Sequence, residues 1–289
     1  PRSYLHNEIS NKGLRALDGL IKKEAIDIAC MQEVEQNEGR GNGNGIQDPV
    51  KEFAENTQLK NYVYGANTAA DLFQLFYIAN GNSISSRVPI HDSERTNFSR
   101  YWNWHSASNG IELATGTKGI LSSKVRYHNQ AINLVCTHLS NLPMDILTGF
   151  SERELELKGL FEHTAELVRS TNSPAVVMGD FNTQPESEDW KLVRKVLNEY
   201  NFTMDCGLDK LSYSGTPTVR KGTWLGSVPR LELGKENTRE NTGKYIDYIC
   251  VVNHPENSLQ LKISDLEPIH DKNYSDHSPV IATIEIYKK

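Results

Sequence analysis

The sequence predicts an α/β sandwich with two sheets inside and helices outside. Three observations carry that prediction. Two strand–helix–strand passages, residues 10–90 and 131–205, share one rhythm of short apolar runs and amphipathic stretches. Between and after them come short β-rich pieces separated by turn residues. No Pro/Ser-rich linker interrupts the series, and the only low-complexity stretch is Gly39 to Gly45, so residues 1–289 read as one domain.

In chain order, Ser10 to Lys23 reads as a helix, with Leu14, Leu17, Leu20 and Ile21 at helical spacing and Ser10 or Asn11 as N-cap. Ile26 to Met31 is an apolar run of buried-strand length ending at Gln32-Glu33. The glycine loop does not match the G-x-G-x-x-G of a dinucleotide fingerprint and reads as a surface loop. Residues 49–58 look helical. Strand-like pieces then follow at 62–64, 72–78, 83–90, 111–115, 119–125 and 131–138. Ser151-Glu-Arg-Glu154 has the form of a capping box, opening a helix to about Arg169 with Leu155, Leu160, Leu167 and Val168 on its apolar side. Pro174 to Met178 is a buried-type strand running into Gly179-Asp-Phe-Asn182. A helix from about Ser187 to Asn198 carries Trp190, Val193 and Leu197. The tail predicts strands at 245–252 and 279–287 after an irregular stretch at 215–243.

Composition narrows the possibilities. The 289 residues hold 31 Lys+Arg against 37 Asp+Glu, a net charge of −6, with 37% hydrophobic residues. No apolar run approaches the roughly 18 residues a membrane helix needs. The acidic balance argues against a chain built to coat nucleic acid. Cys30, Cys136 and Cys250 lie in apolar runs, and no C-x-x-C pair occurs. The four cysteines, Cys206 included, therefore read as free, buried small hydrophobes, which fits a reducing compartment.

Polar residues at strand ends carry the chemistry, because layered α/β folds place their sites at sheet edges. Glu33 follows the strand at 26–31, His138 ends that at 131–137, and Asp180 and Asn182 follow that at 175–178. Asp276 and His277 stand before the last strand, and Asp247 sits between Ile246 and Tyr248 in apolar surroundings, where a carboxylate needs a partner. Singly, each has a structural reading as a turn, a cap or a core histidine. Together they form a hard-oxygen set suited to Mg²⁺, Mn²⁺ or Ca²⁺, with two proton-handling histidines.

Met31-Gln-Glu-Val34, Thr137-His-Leu139, Gly179-Asp-Phe-Asn182, Tyr245-Ile-Asp-Tyr248 and Ser275-Asp-His-Ser-Pro279 resemble, in order, the motif series of the endonuclease/exonuclease/phosphatase superfamily, the deoxyribonuclease-I-like fold. Gly81 to Ile90 resembles a further family strand, and Thr117-Lys-Gly-Ile-Leu121 resembles its R-G-x-L, with Lys118 where Arg is usual. The resemblance spans about residues 10–285. It implies a four-layer α/β sandwich, two packed mixed β-sheets flanked by helices, and metal-dependent phosphoester hydrolysis. Carried over, it implies that Glu33 holds the metal with Asp276 assisting, and that Asp180, fixed by Asn182, orients and deprotonates the attacking water. His138 and His277 would contact the phosphoryl oxygens, with Asp247 paired to His277. Asn141 reads equally as a phosphate contact or a loop residue. The family's first strand normally ends in an Asn; here either that strand lies upstream of Pro1 or Asn7 takes its place.

The substrate is less legible, since one such fold serves many phosphoesters. The loops at 91–118 and 206–243 would choose it. Phe98, Tyr101, Trp102, Trp104 and His105 beside Arg95 and Arg100 suit base stacking, a choline-like ligand or a small hydrophobic core. Trp224, after Gly222-Thr223, resembles a family position near the site, which implies a role as a pocket wall. The expectation is a phosphodiesterase acting on a small phosphodiester, a lipid headgroup or nucleic acid, without stable membrane insertion and favoured as a monomer. The alternatives within the fold are a sphingomyelinase-like enzyme or a nuclease; outside enzymology it is a catalytically silent scaffold. A glycan at Asn273-Tyr-Ser would block the site, which favours a cytoplasmic over a secreted setting.

Overall fold

The computed structural model describes residues 11–39, 48–72, 76–98, 111–114, 118–127, 129–140, 152–184, 187–208, 219–224, 228–233, 246–269 and 279–289. Helix α1 (Asn11–Lys23) precedes strand β1 (Ile28–Gly39), and helix α2 (Pro49–Asn56) precedes β2 (Asn61–Leu72) and β3 (Phe76–Ser86). These strands and β5 (Ile111–Ala114) form a four-stranded sheet in the order β1-β3-β2-β5, antiparallel throughout. Asp48 caps α2 through hydrogen bonds from the backbone N–H groups of Val50 and Lys51, and Pro49 supplies the preset first helical residue. Ile21, Phe53 and Leu59 seal these two helices against Ala29 and Met31 of β1.

A second, six-stranded sheet is ordered β4-β6-β7-β8-β12-β9. Its members are β4 (Ile90–Asn97), β6 (Gly119–Tyr127), β7 (Gln130–His138), β8 (Ala175–Asp180), β9 (Thr203–Asp205) and β12 (Asp247–Asn253). Among the described strands only β7 and β8 run parallel, and between them the chain makes its crossover through helix α3 (Glu152–Thr171). Strand β8 is buried along its whole length, as a strand covered on both faces must be. The edge strand β4 is mostly exposed and polar, a composition that discourages strand addition. Helices α3 and α4 (Glu188–Glu199) cover one face through Leu157, Leu160, Phe161, Trp190 and Val193. The other face meets the first sheet in a core of Ile84, Leu121, Leu134, Cys136, Met178 and Val251, to which Ile263 of β13 (Leu259–Pro268) contributes; β13 pairs with β14 (Val280–Lys288). Helices, sheet, sheet and helices thus make the four layers that the motif series implied. Among the described strands the first sheet is antiparallel rather than mixed, and the second is mixed.

Several sequence expectations shift. The predicted strand at 83–90 splits into the end of β3 and the start of β4, and β13 was not anticipated. The stretch at 215–243 contains a hairpin, β10 (Val219–Trp224) with β11 (Val228–Leu233). Leu155, expected on the apolar side of α3, is exposed, because the buried stripe runs through Leu157, Leu160, Phe161 and Val168 instead. The proposed cap at Ser151, the glycine loop at 40–45 and the first-strand question at residues 1–10 lie outside the described residues.

The cysteine reading is overturned. Cys30 is bonded to Cys136 and Cys206 to Cys250, leaving no free thiol. Apolar flanks mark a buried position but say nothing of what faces it: Cys30 and Cys136, 106 residues apart, sit on facing strands of opposite sheets. Closing loops of 106 and 44 residues stabilises by about 4–5 kcal/mol each in the chain-entropy picture. Paired cysteines also remove the ground for expecting a reducing compartment.

On α3, burial holds the His163 imidazole below its usual 6.5, against the opposing pull of Glu94 and Glu166, and its Nε2 is buried without a hydrogen-bond partner among the described residues. The folded state therefore binds this proton less readily than the unfolded chain. The stability contribution is complete above 6.5 and is lost as pH falls below it. Urea unfolding should give a lower midpoint at pH 5.5 than at pH 7.5, and His163→Gln should shrink that drop. An undiminished drop in the variant would assign it to other groups.

Candidate active site

The site is built where the ends of three strands of the second sheet face a bulge within β1 of the first. Backbone register places the first group: His138 lies beside Asp180 across the parallel β7–β8 pair, and Asp180 lies opposite Asp247 across β8–β12. Three neighbouring strands thus end in imidazole, carboxylate and carboxylate. Gly179 makes this possible. Its φ is 143°, and a Cβ built there would stand 1.9 Å from the Thr137 carbonyl oxygen, so only glycine lets β8 approach β7 so closely.

Glu33 arrives from the other sheet. The β1–β3 register pairs Met31 with Ser83 and Val34 with Gly81, so Gln32 and Glu33 oppose Asn82 alone. This β-bulge, with Glu33 at φ 54°, re-aims the side chain out of the strand's alternation. Gly81 tolerates the crowding on its other flank, where a Cβ would lie 2.1 Å from the Gly65 carbonyl oxygen.

The side chains then meet. His138 Nδ1 lies 3.6 Å from Glu33 Oε1, and its Nε2 lies 3.6 Å from Asp180 Oδ2. Both are ion-pair separations, longer than a hydrogen bond. Lys118 Nζ stands 2.9 Å from Nδ1 and 3.0 Å from Nε2 of the same ring, and 3.8 Å from Glu33 Oε1. The His138 and Asp180 side chains are 9% and 7% exposed, whereas Glu33 is 52% exposed, so the cluster runs from a reachable carboxylate to a buried one. Asp247 is half-buried.

A hydrogen-bonded layer beneath holds both loops. Asp180 Oδ1 accepts from the Asn182 N–H at 2.7 Å, and Asn182, at φ 50°, donates its amide to the Leu139 carbonyl at 2.8 Å. The Asp180 loop is thereby tied to the residue after His138. On α3, Arg153 donates to the Asn182 carbonyl and to Asp189, which also accepts from Thr183. One turn along, buried Glu156 accepts from the N–H and hydroxyl of Ser140. Under the loop, Phe181 stacks on Tyr248, Trp190 meets Tyr248 edge-on, and the Tyr248 hydroxyl donates to the Thr183 carbonyl.

The structure therefore gathers Glu33, His138, Asp180 and Asn182, with Asp247 in register beside them. Asn7, Asn141, Asp276 and His277 lie outside the described residues, and Trp224 ends β10 opposite Val228. Among the described residues no group of three or more His, Cys, Asp or Glu side chains forms a metal cluster. The oxygen donors present nonetheless suit a hard cation, because Mg²⁺ takes one or two carboxylates and keeps waters. Sequence reasoning noted Lys118 only as a departure from a motif and missed Arg153, Glu156 and Asp189 altogether. The available signal was two charged residues at i and i+3 on a helix that follows a strand ending in His.

The model of the "Endonuclease/Exonuclease/phosphatase family" matches residues 9–277. No curated protein matches the chain. Among solved structures, it is similar to an endonuclease/exonuclease/phosphatase from Beutenbergia cavernae, at 17% identity and TM-score 0.60, covering 94% of this chain and 66% of that one. A family protein from Leptotrichia buccalis is 16% identical with TM-score 0.60, covering 98% and 96% of the two chains. A mannosyl-6-phosphatase from Bacteroides thetaiotaomicron is 13% identical with TM-score 0.55, covering 96% and 91%. At these identities the likeness is one of fold.

Gly179→Ala should lower stability by about 3 kcal/mol, from strain at a positive φ and the forced separation of β7 from β8. The urea midpoint measures it. A change under about 1 kcal/mol would mean that the approach at Thr137 is not a constraint.

Proposed function

The chain belongs to the endonuclease/exonuclease/phosphatase family, whose members are generally phosphoester hydrolases, and we propose that this protein is a divalent-metal-dependent phosphodiesterase. The observation that carries the proposal is the convergence of His138 and Asp180, side by side on parallel strands, with Glu33 brought in from the facing sheet.

A phosphodiester anion repels an incoming nucleophile, so the site must align water and neutralise charge that grows at the phosphoryl oxygens. In this reading Asp180 orients the water and takes its proton as the new P–O bond forms. The opposite P–O bond breaks, and the alcohol leaves with a proton from solvent. Asn182 holds Asp180 in place through its backbone N–H. His138 reaches the phosphoryl oxygens, as His277 would, with Asp247 orienting His277. Glu33, with Asp276, would hold a Mg²⁺ or Mn²⁺ ion, which when bound supplies charge neutralisation at the phosphoryl group. Asn141 and Trp224 would contact the substrate in this reading.

The acidic net charge supports a small phosphodiester or a lipid headgroup over tight duplex binding. No helix among the described residues is long and apolar enough to cross a membrane. The two disulfides favour an oxidising compartment over the cytoplasmic setting expected from unpaired thiols.

Hydrolysis of bis-p-nitrophenyl phosphate, p-nitrophenyl phosphate, plasmid DNA and sphingomyelin, each with Mg²⁺, Mn²⁺ or EDTA, tests the reading. Turnover of a diester is expected, abolished by EDTA, with kcat reduced at least about 100-fold in Asp180→Asn and His138→Ala. Turnover of the monoester alone would make the protein a phosphatase. Unchanged rates in both variants would remove these residues from the mechanism.

A further inference from the structure

The Cys30–Cys136 bond joins the two strands that carry Glu33 and His138. Cys136 is fully buried on β7, two residues before His138, and Cys30 is partly buried on β1, three residues before Glu33. Between the bond and the site stands Gln32, which shares the β1 bulge with Glu33. Its Nε2 donates to Cys30 Sγ at 3.0 Å and lies 3.8 Å from Cys136 Sγ. One side chain of the bulge is thus anchored on the bond while the next is aimed at the imidazole.

Carbonyl oxygens surround the sulfurs. Those of Ser83 and Met31 lie 3.6 and 3.8 Å from Cys136 Sγ, and that of Met178 lies 3.8 Å from Cys30 Sγ. A disulfide sulfur has no proton to donate, so these contacts are not hydrogen bonds while the bond is intact. A thiol is a weak donor, so a reduced pair would find acceptors already in place. The two forms do not hold the strands alike. Sulfurs no longer bonded stand apart at non-bonded contact. Ile84, opposite Cys30 on β3, and Leu134, two residues before Cys136, are fully buried in the same close-packed core, so the separation is passed on to β1 and β7. Cys206–Cys250, by contrast, lies in the helix-side core and joins no strand of the first sheet.

We propose that the Cys30–Cys136 pair, acting through Gln32, is a redox-sensitive positioning element for Glu33. The bond holds Glu33 against His138, and reducing it lowers the affinity of the site for a divalent cation. The proposal rests on the phosphoesterase reading and names a means of regulating that site. A dithiol reductant attacks Cys30 Sγ, the more accessible sulfur, and displaces the Cys136 thiolate. Its second thiol then releases Cys30, and the reductant leaves as a disulfide. The protein S–S bond gains two electrons, and the two protons of the dithiol end on the cysteine sulfurs.

The test uses the full chain and dithiothreitol, with mass-spectrometric mapping of alkylated cysteines to read which bond has opened. After the reductant is removed anaerobically, Mn²⁺ affinity is followed by electron paramagnetic resonance, folding by near-UV circular dichroism, and turnover with bis-p-nitrophenyl phosphate. Opening Cys30–Cys136 should raise the Mn²⁺ dissociation constant and lower kcat by about tenfold or more, with the near-UV signal retained. Oxidised glutathione should restore both. Cys206→Ala/Cys250→Ala, which keeps only the inter-sheet bond, should respond in full, and Cys30→Ala/Cys136→Ala should start weak and ignore the reductant. Unchanged Mn²⁺ affinity after a mapped opening overturns the proposal. So does a bond that resists the dithiol in the folded protein, or unfolding on reduction, since either makes it a structural staple. Mn²⁺ affinity that falls on reduction in a protein hydrolysing no ester would fail the hydrolase reading alone. An active enzyme whose rate and Mn²⁺ affinity ignore reduction would fail this inference alone, and an oxidised protein that binds no Mn²⁺ would overturn both.

Discussion

Everything at the site hangs on the close parallel contact between β7 and β8. Parallel pairing fixes His138 level with Asp180, and Gly179 lets the two backbones approach where any side chain would strike the Thr137 carbonyl. The imidazole and the buried carboxylate are thus juxtaposed by main-chain hydrogen bonds rather than by flexible side chains. The same register carries one strand further to Asp247. Rigid elements position functional groups more tightly than loops do, and here three adjacent strands do so at once.

The second requirement is that the two sheets stay in register with each other. Glu33 belongs to the first sheet and His138 to the second, so their separation depends on packing across the inter-sheet core. The Cys30–Cys136 bond crosses that core three residues before Glu33 and two before His138. The Asn82 side chain makes a second crossing to the Gly119 carbonyl. From the outside, Arg153 and Glu156 on one turn of α3 reach the Asn182 loop and the Ser140 loop respectively. A buried carboxylate and a partly buried guanidinium are costly unless well bonded, and each is bonded to one backbone group and one side chain that flank the site. Strand ends, disulfide and helix turn converge on the same few ångströms.

Much of this was legible in the linear chain because its signals are local. A strand-end His or a Gly-Asp-Phe-Asn turn needs no partner to be recognised, and helix α4 declares Trp190, Val193 and Leu197 by spacing alone; all three are buried. Non-local features were read less well. Strand β1 continues past Gln32-Glu33, where a bulge rather than a strand end turns Glu33 outward. Leu155 and Leu157 are both apolar residues of α3, yet only Leu157 is buried, because the facing element decides where the stripe falls. The cysteines were misread for the same reason.

By itself the sequence determined the helices, most of the strands, the family and the residue types that the site draws on, because periodicity and short motifs are properties of neighbours along the chain. The tertiary structure alone decided which of those ends meet. It alone brought Lys118 against His138, paired Cys30 with Cys136, and set Arg153 and Glu156 beneath the site. Those contacts join residues up to 106 positions apart across two sheets and a helix layer, and their geometry exists only once the layers are packed.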